Sequence, residues 1–183
     1  MRGPLCHLLV IVATLVGVLA MTAPAALAAG CPGATLPPSA GNLAKVNGAT
    51  LCLVNRERTK RGLPRLRRQA ALDRAAMGFA KRLVADAFFD HTAPDGTSLL
   101  DRVKITSYLK GGVQGWSVGE NIAYGSGSLA TAKAIVGSWM DSSGHRANIL
   151  RAGFREIGLG VALGSPTGPE GATYVHNFGR RDR

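Results

Sequence analysis

Aromatic residues make up 5% of this chain, and its 11 acidic residues face 22 lysines and arginines. So few aromatics leave no stacking platform for bases, and no nucleic-acid-binding motif accompanies the positive charge, so nucleic acid is not an expected partner. The chain also lacks a GxSxG elbow, a P-loop and an HExxH pair, and with them any visible covalent nucleophile or phosphate loop. Long hydrophobic runs are missing except for Leu8 to Leu19, which follows Arg2 and precedes the small residues "APAALAA". That pattern predicts a secretory signal peptide over residues 1–29, cut at or near Ala28 or Ala29. Its apolar core falls short of the roughly 20 residues that a membrane span needs. The mature chain is therefore expected to be secreted, with no transmembrane segment.

Cysteine is almost as scarce. Of the three in the chain, Cys6 leaves with the leader, so Cys31 and Cys52 meet an oxidising compartment as a pair. A disulfide from the N-terminal segment to the first helix is one reading. The other takes "LAAGC" as a lipobox, with Cys31 lipidated and Cys52 a free thiol, although Ala28 stands where leucine is usual. The formal charge of +11 is concentrated in "NRERTKRGLPRLRRQ" and "GRRDR". On an exported protein such charge meets anionic envelope polymers, lipid headgroups or polysaccharide, or it is simply a solvated surface.

Residues 30–42 contain "CPGATLPPSAGN" and read as a linker; residues 43–183 are long enough for one domain, expected to be monomeric. A helix is predicted from Leu43 to Arg61, stopped by Gly62 and Pro64. A second, from Gln69 to Ala87, lines up Leu72, Ala76, Phe79, Leu83 and Ala87. "TSLLDRV" predicts a short helix opened by Ser98, with Asp101 completing a capping box. "VGENIAYG" reads as a strand, and Leu129, Ala132, Val136 and Trp139 mark another helix. "GHRANIL" reads as a brief helical turn. "EIGLGVAL" and "ATYVHNF" alternate as paired strands joined by the loop "GSPTGPEG". This order predicts an α+β layered domain rather than a doubly wound sheet.

Three polar residues stand at the edges of elements. His91 follows a helix and precedes a Pro-Asp-Gly turn, where it faces a cleft or serves as a hydrogen-bonded structural histidine. Glu120 opens an otherwise apolar strand, where a carboxylate needs donors or a cation. His145 falls in the first turn of a helix that Ser142 or Ser143 can cap, a position that favours the neutral imidazole. Two neutral histidines and a carboxylate are the materials of a zinc or other divalent-metal site with an open position for water, although their spacing matches no metal motif. Glu156 and His176 lie within strand patterns and read as structural.

Together "LVNRERTKRGLPRL", "DHTAPDG", "GENIAYG", "SWMDSSGHRANIL", "EIGLGVAL" and "YVHNFG" make the chain resemble the CAP superfamily (cysteine-rich secretory protein, antigen 5, pathogenesis-related 1) in its short bacterial form. The likeness runs from about Asn42 to Gly179. It implies an α-β-α sandwich with a central antiparallel sheet and a wide cleft holding two histidines and two glutamates, with metals such as zinc associated with the histidines. His91, Glu120 and His145 match three of those positions. Ser142 stands at the fourth, so a mechanism that needs paired glutamates lacks one of them here. His176 stands where bacterial relatives often have glutamine.

Three functions follow as expectations: an extracellular binding module for a lipid-like or anionic envelope ligand; a metal-dependent hydrolase with His91 and His145 as ligands and Glu120 as ligand or base; and a structural or stress-related extracellular protein.

Overall fold

Strict alternation along the last strand organises the molecule. In β4 (Gly168–Asp182) Tyr174, His176 and Phe178 turn to one face of the sheet, while Val175 and Asn177 turn to the other. Each face is covered by helices, as an α-β-α sandwich requires. The structure is a computed structural model that describes residues 30–182; the predicted signal peptide lies outside the described residues.

The elements are α1 (Leu43–Thr59), β1 (Arg67–Arg68), α2 (Ala70–Ala85), α3 (Leu99–Lys104), β2 (Gly115–Gly125), α4 (Ala132–Asp141), α5 (Ser143–Leu150), β3 (Glu156–Ser165) and β4. The sheet order is β1-β3-β4-β2. The three long strands are antiparallel, as expected, but β1 joins β3 in parallel through Arg67 and Arg68, so the sheet is mixed. This two-residue edge is too short for alternation to register in sequence.

On one face, α1, α4 and α5 bury Val46, Val54, Trp139 and Ile149, joined by Phe154 of the following loop, against Leu159, Tyr174 and Phe178. On the other, α2 sets Phe79 and Leu83 on Ile122 and Val175, while Val103 of α3 packs with Tyr108 and Leu72. Gly158 and Gly160 explain how close α2 comes: a methyl group at either would overlap the backbone of Leu72 or Ala76.

Several local predictions are refined by hydrogen bonding. Ser98 and Asp101 form the capping box, and Gln69 caps α2 through Ala71 and Leu72 N–H. Leu129 does not enter α4; it is exposed on a 3-10 turn, and Thr131 starts the helix by accepting from Ala134 N–H at 3.3 Å. "GHRANIL" belongs to a full helix, α5. The loop "GSPTGPEG" is mostly strand, because β3 and β4 extend into it and leave Pro166 and Thr167 between them.

Cys31 and Cys52 form a disulfide, which consumes the thiol that lipidation would need and so removes the lipobox reading. Residues 30–42 are stitched down further: Ala34 C=O accepts from Lys133 N–H at the start of α4 (2.8 Å), and Asn42 ties Ser39 to Pro37. At the far end of α1, the fully buried Arg58 donates to the carbonyls of Pro64, Ile149, Arg151 and Phe154 at 2.7–3.2 Å. It thereby fixes the exit of α5.

Candidate functional site

β2 is an edge strand of the sheet, and the three residues singled out from the sequence gather along it. Glu120 projects toward α2 and α3 and Asn121 toward α5, because neighbouring strand residues face opposite ways. His91 therefore approaches β2 from one face of the sheet, and His145 from the other.

Glu120 is buried, its side chain 2% exposed, and four contacts hold it. Arg102 Nη2 donates to Oε2 at 2.8 Å and to Oε1 at 3.0 Å. His91 Nδ1 donates to Oε1 at 2.9 Å. The Asn177 amide, oriented as its neighbours require, donates to Oε2 at 3.0 Å and accepts from Ala76 N–H at 3.2 Å. A buried carboxylate needs such a donor set to stay charged.

Arg102 is the residue that sequence reading missed, and it positions His91 twice. Through Nη2 it fixes the carboxylate that holds the imidazole. Through Nη1 it donates to the carbonyls of His91 and Thr97, both at 3.1 Å, and so shapes the loop itself. Its guanidinium carbon lies 3.3 Å from the Phe79 ring centre, a cation–π contact that makes burial of the charge tolerable. The only local signal was an arginine beside Val103 in the α3 capping-box helix, and six residues are too few to show which side faces inward. Asn177, the residue after His176 in an apolar strand, offered a similar one.

The rest of the loop is local turn chemistry. Asp90 accepts from Thr92 N–H at 2.8 Å and Asp95 from Thr97 N–H at 3.0 Å, while Gly96 takes a left-handed φ of 85°. Asp95 also pairs with Arg82 of α2 at 3.0 Å. These bonds, with Arg82, hold the Asp95 carboxyl well below its ordinary range. Phe89 meets Tyr124 edge-to-face at 4.9 Å, and both rings remain substantially exposed beside His91.

Across β2, Asn121 Nδ2 donates to His145 C=O at 3.0 Å, and Asn148 Nδ2 bridges Glu120 C=O (3.0 Å) and Asn121 Oδ1 (2.9 Å). Trp139 Nε1 donates to Ile122 C=O at 3.2 Å. These bonds lock α4 and α5 onto the strand. Ser142 makes no side-chain cap on α5; its hydroxyl shares a 3.0 Å hydrogen bond with His145 Nδ1 instead. At the position where the resemblance implies a second glutamate, a neutral hydroxyl thus orients the imidazole.

The two histidines are biased in opposite directions. The hydrogen bond to Glu120 raises the His91 pKa, outweighing desolvation. Burial lowers that of His145, and the charge on His91 lowers it further.

The other two candidates from the strands stand apart from this pair. His176 is fully buried, packs edge-on against Trp139 at 4.5 Å, and neither ring nitrogen has a hydrogen-bond partner. Burial pushes its pKa down to about 3. Glu156 lies at the end of the sheet, accepting from Tyr108 Oη at 2.8 Å.

The family model for "CAP: Cysteine-rich secretory protein family" matches residues 51–178. The protein YkwD of Bacillus subtilis is 37% identical over 108 residues, which are 59% of this chain and 39% of that protein. An extracellular protein of Bacillus anthracis containing an SCP domain superposes with a TM-score of 0.57 at 29% identity, covering 75% of this chain and 40% of that one. An outer surface protein of Borrelia burgdorferi shares the fold at 20% identity, with a TM-score of 0.59 and coverage of 72% and 90%. The chain thus spans about two fifths of the length of both Bacillus proteins.

Proposed function

Because the chain belongs to the cysteine-rich secretory protein (CAP) family, we propose that it is an extracellular binding module whose cleft along β2 takes a lipid-like ligand with an acidic head. The observation that carries this reading is the full engagement of Glu120. Both of its oxygens are spent on Arg102, His91 and Asn177, which leaves it an orienting group for His91 rather than a base open to the cleft. His91 in turn keeps Nε2 for a ligand, and the Glu120 hydrogen bond that raises its pKa favours the cationic form, which is the better donor to an acidic head. The exposed Phe89 and Tyr124 rings beside it offer an apolar wall for the rest of the ligand. An extracellular location is supported by the Bacillus anthracis relative, and no helix of the described residues is long and apolar enough to cross a membrane.

The test is calorimetric titration with decanoate, comparing the wild type with His91→Ala and Phe89→Ala. Saturable binding weakened by both substitutions is the expected result. Wild-type protein that takes up no decanoate, or binding indifferent to both substitutions, overturns the reading.

A second reading rests on the same imidazoles. A histidine whose Nδ1 is held by a carboxylate is oriented as metal ligands commonly are, and burial favours the neutral, coordinating form of His145. Among the described residues, no group of three or more His, Cys, Asp or Glu is placed to hold a metal. The residues present do not supply the three-ligand set of a zinc hydrolase, so this reading is limited to cation binding by the two imidazoles, and no hydrolytic step is drawn through it. Titrating metal-stripped protein with Zn²⁺ tests this reading. Binding lost in both His91→Ala and His145→Ala, and weakened near pH 5 as protons compete, supports it; absence of binding near pH 7 removes it.

A further inference from the structure

The two basic stretches of the sequence converge at the end of the sheet that carries β1. Arg67 of β1 is in register with Glu156 of β3, and Glu156 is in register with Gly179, just before Arg180 and Arg181 on β4. A cavity of about 410 Å³ opens there, lined by Arg67, Arg155, Glu156 and Arg181. Neighbouring arginines are matched by their own carboxylates, Arg68 by Asp73 at 2.8 Å and Arg180 by Asp182 at 2.8 Å. The cavity is different: three guanidinium groups share one carboxylate, leaving two positive charges in excess.

The site is also partly preorganised. Arg181, its side chain 16% exposed, donates through Nη1 to Tyr108 C=O at 3.0 Å and lies 4.7 Å from the Tyr108 ring centre. Its Nε donates to Glu156 at 3.3 Å, and the same carboxylate oxygen accepts from Tyr108 Oη at 2.8 Å. Arg155 is anchored through Nη1 on the carbonyls of Ala152 and Phe154. Arg67 is the free arm, 78% exposed and 3.6 Å from Glu156. Two anchored guanidinium groups and one that can swing line the same cavity, each with N–H groups not taken by Glu156 or the carbonyls. That arrangement matches a tetrahedral oxyanion, which accepts several charge-assisted hydrogen bonds at once.

We propose that this cavity is a phosphate-binding subsite for an anionic, phosphodiester- or phosphoanhydride-linked polymer outside the cell. The subsite is independent of the β2 cleft and of whichever ligand that cleft takes; the decanoate titration reads the cleft separately. A polymer suits it better than a lone anion, because the remaining basic surface adds long-range attraction while the cavity gathers three guanidinium groups around one carboxylate.

Sodium polyphosphate is the probe, titrated into wild-type protein, Arg67→Gln/Arg155→Gln, and a control of equal charge, Lys45→Gln/Lys133→Gln, with thermal melts confirming that each folds. Arg181 is left intact because Glu156 depends on it. We expect the arginine pair to weaken affinity at least about tenfold and to flatten its salt dependence, with the lysine pair close to wild type. In parallel, the Nε–H resonances of Arg155 and Arg181 should shift on adding inorganic phosphate. Equal losses in both double variants reduce the effect to net charge and overturn the proposal, as does no binding. Binding to phosphatidylglycerol vesicles through these arginines, without response to polyphosphate, replaces the polymer with a membrane surface and overturns it too.

Discussion

Arg102 and Glu120 form a two-oxygen ion pair, at 2.8 and 3.0 Å, in which both side chains are nearly inaccessible and the His91 imidazole rests on the outer carboxylate oxygen. The geometry makes His91 dependent on a residue it scarcely touches. Arg102 reaches the imidazole only through the carboxylate, and reaches the main chain of the loop at the His91 and Thr97 carbonyls.

Removing Arg102 should therefore act on stability and on His91 together. Arg102→Met leaves the buried Glu120 without its guanidinium and with only His91 and Asn177 as donors, and breaking a buried pair from one side costs about 3–5 kcal/mol. Glu120→Gln is gentler, since Arg102 can still donate to the amide oxygen. In that variant the His91 pKa, raised chiefly by its hydrogen bond to Glu120, should fall back toward its ordinary value. NMR titration of the imidazole resonances checks this, and an unmoved His91 would refute the orienting role given to Glu120.

The disulfide provides a second test. Cys31 and Cys52 are separated by 21 positions, and closing a loop of that size stabilises a fold by about 3 kcal/mol through the unfolded chain. Cys31→Ala/Cys52→Ala should lower the unfolding free energy read from denaturant titration by a matching amount. The segment it ties down also supplies Ala34 C=O to the first turn of α4, so hydrogen exchange at Lys133 should accelerate.

The α+β layering was legible in the sequence because alternation and helical spacing are local properties, while the α-β-α sandwich followed from the family resemblance. So were the capping box at Ser98 and Asp101 and the ends of α1 and α2. His91, Glu120 and His145 were legible as candidates because each breaks an apolar or turn pattern at the edge of an element. Two things were hidden. Arg102 sits in a helix too short to display a face, and an arginine there reads as solvated until Glu120 arrives from β2. Ser142 reads as a helix cap, and only the position of the His145 ring shows the hydroxyl taken by Nδ1. Partners made by tertiary contact leave no periodic trace.

Arg58 offers a sharper case of the same kind. Its guanidinium is buried with no carboxylate beside it and holds four carbonyls instead, from Pro64, Ile149, Arg151 and Phe154. Burial lowers its pKa, with the charge of Arg155 adding to the effect. Lysine cannot reproduce a planar fork that bonds from three nitrogens. Arg58→Lys should thus destabilise nearly as much as Arg58→Met, each by a few kcal/mol as buried carbonyls lose their donors. Because Ile149 and Arg151 end α5, the loss should also loosen His145, visible as accelerated exchange of the α5 amides. A full rescue by lysine would show that only the charge matters.

His176 supplies the pH test. Its pKa is about 3 in the folded protein against 6.5 ordinarily, because burial beside Trp139 penalises the cation. Below about pH 6.5 the unfolded chain binds a proton there that the folded chain does not. Stability from this residue must therefore fall as pH falls, at up to about 1.4 kcal/mol per pH unit, until the folded pKa is approached. His145, also lowered, adds a smaller contribution of the same sign; His91, raised, acts oppositely, and its stabilisation is lost as pH rises through its folded pKa. Comparing wild type with His176→Gln between about pH 7 and pH 5 isolates the buried group, because the other two are common to both proteins. The difference in unfolding free energy should shift in favour of the glutamine variant as pH is lowered. Parallel stability curves would mean that the imidazole finds a proton partner in the folded state, against the unpartnered position described for it.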